Sequence, residues 1–201
     1  MSKKIKFVMS LLLVALASGQ TWATKIAEIP FSTPTQLDAV PLDCDYGDYG
    51  YHSQMVYPQN LLQAAALPEG AIITAITFYT WHDYKLINPE GTENNPLTIK
   101  LGQPENHNLS RFVTDNLTTV STSGNIWSGT NAVTLEFDVD KAYRYDGGNL
   151  LIDLSWGNKP NGYHKSSIYW EGSAASTAAS RTATCSSSGE EGESTPVDYL
   201  P

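Results

Sequence analysis

The sequence predicts an all-β fold, an antiparallel, jelly-roll-like β-sandwich of about eight strands with one short helical turn. Three observations predict it. Apolar residues recur at every second position, most clearly in "AVTLEFDVDKAYRY", where Val133, Leu135, Phe137 and Val139 share one face and Thr134, Glu136, Asp138 and Asp140 the other. Polar, turn-forming stretches such as "HDYKLINPEGTENN" and "QPENHNLSRFVTDN" separate these runs. Only "NLLQAAAL", Asn60 to Leu67, has the composition of a helix, with Asn60 as its expected cap and Pro68 as its stop.

In chain order, residues 1–23 read as a signal peptide: a basic start "MSKKIK", an apolar run "FVMSLLLVALA", and Thr21 and Ala23 at the positions before a cut. The apolar run is shorter than the roughly 20 residues a spanning helix needs, and no later run is long enough. Export to the cell exterior or surface is therefore expected, with no membrane-spanning segment after cleavage. Residues 24–42 hold prolines and no sustained period, and read as an extension or linker; residues 43–201 form the expected sandwich domain.

Within that domain "YGYHSQMVY" is β-compatible and stops at Pro58. "AIITAITFYTW" places Ile72, Ile76 and Phe78 on one face and Ile73, Ala75, Tyr79 and Trp81 on the other, as expected of a central strand. "PLTIKLG" alternates around Leu97, Ile99 and Leu101, and "LTTVST" is a short strand. "NLLIDLSW" is expected to pair with the alternating run before it, across a tight turn at Asp146-Gly147-Gly148. "SSIYWEG" and "RTATCS" complete the strands. A chain of this length can bury roughly 70% of its unfolded surface, enough for a core without covalent staples.

The segments "YHSQMVYPQNLL", "GAIITAITFYTW", "LTIKLGQPENHNLSRF" and "AVTLEFDVDKAYRYDGGNLLIDLSW" together resemble a β-sandwich accessory module of secreted and surface proteins of gut and oral anaerobic bacteria. The resemblance spans residues 49–156 and implies an adhesive or accessory role, with no catalytic residue to carry over. In that family one more strand usually follows a Pro-containing loop, and "STPVDYLP" ends where that strand would begin, so the resemblance implies a domain cut short before its last strand.

The charge narrows the partners. The net charge is −9, and loss of residues 1–23 removes Lys3, Lys4 and Lys6 and no acid, leaving −12. An acidic chain poor in Lys and Arg is not expected to bind nucleic acid, which needs a basic surface. Cys44 and Cys185 are candidates for a disulfide, since export permits oxidation. Such a bridge would stabilise by about 4–5 kcal/mol in the chain-entropy account, and two unpaired thiols are the alternative.

Catalytic signals are weak. His82 stands beside Asp83, but no G-x-S-x-G elbow, phosphate loop or dinucleotide fingerprint is present. Asp43, Asp45 and Asp48 in "DCDYGDYGY" are a weak candidate for a Ca²⁺ loop, without the spacing or final Glu of an EF-hand; a solvated acidic loop is the plainer reading. No other cofactor is implied. The aromatics Trp81, Tyr84, Trp127, Trp156 and Trp170 lie at strand ends or beside loops, where rings could stack on sugars. Equally, such rings could cap the core. The expectation is a monomeric, non-catalytic module that binds a glycan or a surface protein, with a structural spacer as the alternative.

Overall fold

The computed structural model describes residues 8–11, 25–29, 35–37, 41, 51–81, 97–107, 109, 111–122, 126–129, 131–156, 170–174, 182–185, 194–197 and 199–201. These form two antiparallel sheets packed face to face as a β-sandwich, with one short helix. The first sheet runs β2 (Lys25–Ala27), β1 (Val8–Leu11), β5 (Ala71–Tyr79), β9 (Ala132–Glu136), β8 (Ile126–Gly129). Ile73 pairs with both Leu11 and Tyr143, so β10 (Tyr143–Tyr145) lies on the edge of β5 opposite β1, beyond the end of β9. The second sheet runs β14 (Ser194–Val197), β13 (Thr182–Cys185), β4 (Tyr51–Tyr57), β11 (Leu150–Trp156), β6 (Thr98–Gly102), β7 (Thr118–Ser121). A small third sheet joins β15 (Tyr199–Leu200), β12 (Trp170–Ala174) and β3 (Thr35–Leu37).

One apolar cluster joins the two large sheets. Met55, Tyr57, Ile99, Leu101, Ile152 and Leu154 come from the second sheet and meet Ile73, Ile76, Phe78, Val133 and Leu135 from the first. Removing this surface from water is the main force holding the layers together. Ala27 and Ile29, in the stretch read as an extension, are part of the same cluster.

The central strand departs from simple alternation. Ala71 and Ile73 face the core at its start, Ile76 and Phe78 at its end, and Ile72 is half-buried. The phase slips at Thr74, where the ladder shifts from Ser10↔Ala75 to Leu11↔Ile73 and the Thr74 carbonyl accepts from Phe137 N–H instead of a strand partner. This is a β-bulge, and it lets both halves of the strand face inward. The expected grouping of Ile72 with Ile76 and Phe78 is therefore corrected.

Three further expectations change. The alternating run stops at Glu136, and Val139, expected inside, is 89% exposed. The cause is a turn: Asp140 adopts φ 66°, and the Asp138 carboxylate accepts from Ser121 Oγ (2.8 Å) and Thr122 N (2.9 Å). The strands flanking Asp146-Gly147-Gly148 do not pair with each other; β10 joins β5 and β11 joins β4 and β6, so the turn carries the chain between sheets. Gly147 (φ 89°) and Gly148 (φ 88°) provide the backbone sense, and Asp146 N–H donates to Gln103 Oε1 at 2.9 Å.

The helix α1 (Gln59–Ala64) follows Pro58, which stands at the N-cap position expected for Asn60, and Gln59 N–H donates to Asn149 Oδ1 at 3.1 Å, from far along the chain. At its other end Leu67 N–H bonds Leu62 O (3.0 Å) and Ala66 N–H bonds Gln63 O (2.9 Å), a Schellman closure with Ala66 at φ 58°.

Candidate functional site

Two places on the described surface collect polar or aromatic groups. The first is the outer face of the second sheet. In β4, Met55 and Tyr57 point into the core, which turns His52, Gln54 and Val56 outward. In β11 the same alternation turns Leu151, Asp153 and Ser155 outward, and the register sets Gln54 opposite Asp153 and His52 opposite Ser155. Residues 109 and 111–117 close over this face: Leu109 packs on Val56 and Leu151, with Val113 and Leu117 alongside.

Polar groups fasten that cover. Gln54 Nε2 donates to Val113 O (2.7 Å) and Val113 N–H donates back to Gln54 Oε1 (2.7 Å). Gln54 Nε2 also donates to Asp153 Oδ2 at 2.6 Å, and His52 Nε2 lies 2.8 Å from the same oxygen. The His52 ring stacks on Phe112, centroids 4.0 Å apart and planes 5° from parallel. Asp153 is buried, and its Oδ1 has no hydrogen-bond partner among the described residues. Lys100 is its register partner on β6, without an ion pair between them among those residues.

A histidine bonded to a buried carboxylate suggests acid–base work, which also needs a nucleophile in reach. Among the described residues no hydroxyl hydrogen-bonds His52; Ser155 faces it only in register. Every bond of Gln54 and Asp153 goes to the sheet or its cover. The geometry is that of a clamp. The sequence did hold a signal for it: a Gln and an Asp inside "YHSQMVY" and "NLLIDLSW", otherwise suited to burial.

The second place is the end of β5. Tyr79 and Trp81 are both half-buried, while Thr80 between them is buried and bridges to Trp170. Tyr79 is the last residue of β5 and Trp81 stands two residues on, where the chain bends away from the strand. Burial pushes the Tyr79 hydroxyl up to about 12, with the negative charges of Glu28 and Glu171 adding to the shift. The Tyr79 ring with the Glu28 and Glu171 carboxylates near it is an amphipathic surface, and the two glutamates are members that sequence pattern alone did not single out.

The remaining sequence candidates fall as follows. Trp170 is corrected: it is fully buried and packs edge-on to Phe78 (6.2 Å, 79°), so its ring caps the core and cannot stack on a ligand. Trp127 and Trp156 are placed by their backbone only, in β8 and β11. Tyr84, Cys44, Asp43, Asp45 and Asp48 lie outside the described residues. Cys185 sits in β13 as the register partner of His52. Among the described residues no three His, Cys, Asp or Glu side chains cluster to hold a metal, and no helix is long and apolar enough to cross a membrane. No family model, curated protein or solved structure matches the chain.

Proposed function

We propose that the protein is an exported, non-catalytic binding module that recognises a glycan through the surface at the end of β5. The observation that carries this reading is the pair of half-buried rings, Tyr79 at the end of the central strand and Trp81 two residues on, with Glu28 and Glu171 close to Tyr79. Aromatic faces cover the C–H side of a sugar ring, and carboxylates accept from its hydroxyls. The basic, apolar start of the chain supports export, and the resemblance to accessory modules of bacterial surface proteins supports adhesion or targeting.

A glycan array probed with the full chain tests it. The expected result is binding to a narrow set of glycans, reduced ~tenfold or more by Trp81→Ala and by Tyr79→Ala with melting temperature retained, a loss in the range of a stacking contact. Absence of binding to any glycan would reject the reading. The second reading, a structural spacer or protein-interaction domain, draws on the burial of Trp170, which removes one ring from the candidate surface. Capture of a surface protein with no glycan bound would favour it.

A further inference from the structure

The strand β1 occupies an edge it could not keep if the chain is processed. Val8 to Leu11 pair antiparallel with β5, Val8↔Thr77, Met9↔Ile76, Ser10↔Ala75 and Leu11↔Ile73. The same residues lie in the apolar run of the predicted signal peptide. Cleavage after Ala23 would remove β1 whole. It would leave β2, whose described pairing is to β1, without that partner, and would open one edge of β5 while β9 and β10 hold the other. The strand so exposed carries Ile73 and Ile76, which are fully buried. An open edge on a long apolar strand is a template for another strand.

We propose that the Ile73–Thr77 edge of β5 is a strand-accepting site, filled in cis by Val8–Leu11 in the uncut chain and, after cleavage, in trans by an extended apolar segment of another polypeptide. The occupant's chemistry follows from the segment seated there: a short, uncharged, extended run, antiparallel to β5, able to tolerate the bulge at Thr74. Main-chain hydrogen bonds would give the affinity, and alternate side chains the selection. The proposal rests on the export reading and is independent of glycan binding.

The test begins with the full-length gene, exported and purified, and the mass of the product. A product starting at Thr24 should bind a lysine-solubilised peptide of residues 7–12 with one-to-one stoichiometry. Peptides carrying Met9→Pro and Ser10→Pro together should bind ~tenfold or more weakly, because proline removes ladder donors. A product that starts at Thr24, stays folded and ignores the peptide would overturn the strand-accepting site and leave export standing. A product that retains residues 8–11 would overturn both. In the uncut chain, the same double substitution should speed amide exchange along Ile73–Thr77 by ~tenfold or more while the β4–β11 ladder keeps its rates. Unchanged exchange would also overturn the proposal.

Discussion

At position 153 a carboxylate is held almost out of water, with one oxygen shared by His52 and Gln54. Removing a partner from such a group costs more than making the pair returns. Asp153→Ala is therefore expected to lower stability by about 2–4 kcal/mol in urea denaturation and to raise amide exchange at residues 111–117. Little of this cluster was legible in sequence, because His52 and Asp153 are 101 positions apart and only the β4–β11 register brings them together. The tyrosines set a second residue-scale expectation. Burial raises Tyr57 well above its ordinary value, Tyr79 to about 12, and also raises Tyr143 and Tyr145. The unfolded chain then loses its tyrosine protons first as pH rises. Stability from this source is fully present below about pH 10 and is lost progressively above it, up to the raised folded values. Thermal melts from pH 8 to 12 should show that decline, and Tyr57→Phe, which loses the bond to Pro201 O, should make it shallower.

Among the elements, the helix end offers the most direct gain. Ala66 holds a left-handed conformation that suits glycine, inside a closure whose hydrogen bonds are already made. Ala66→Gly should raise stability by about 1 kcal/mol, read from the urea midpoint. The opposite change at the sheet-to-sheet turn, Gly148→Ala, should cost about 1–2 kcal/mol, since a Cβ there meets nothing within 4 Å and only the backbone objects. The alternation in Ala132–Glu136 was legible because one face of β9 is buried. The bulge at Thr74 was not, because both faces of β5 are apolar and either phase fits the pattern. The turn at Asp146-Gly147-Gly148 announces a reversal of direction, but two glycines with positive φ serve a hairpin or a crossing between layers equally well.

For the whole molecule, the sandwich class was legible from strand periodicity and the scarcity of helix, whereas the partner of each strand was not. Neighbours in the second sheet come from distant parts of the chain: β4 pairs with β11 and β13, and β11 with β6. Few of these contacts are local, so loops must close before the core rewards them. Refolding by dilution from urea should accordingly be slow, in the millisecond-to-second range or beyond, and single-mixing fluorescence would measure it. The aromatic surface at the end of β5 belongs to this scale too. Its rings are neighbours in sequence and were legible as a strand end, but Glu28 and Glu171 reach Tyr79 only through the fold.

The clamp at Gln54 has one more consequence, for which substitutions the position can accept. Its amide behaves as a side-chain copy of a peptide group, offering N–H to Val113 O and accepting from Val113 N–H, so that one residue of the cover joins the sheet without any strand. Glutamate has the same shape and differs at a single atom. That atom is Nε2, which sits 2.7 Å from a carbonyl oxygen and 2.6 Å from a carboxylate oxygen. An oxygen in its place would face two acceptors and hold no proton for either. In a library of all residues at position 54, the closest isostere should thus rank below smaller, apolar replacements, and its recovery at acidic pH, where a protonated carboxyl can donate again, would show that one hydrogen-bond donor defines the position.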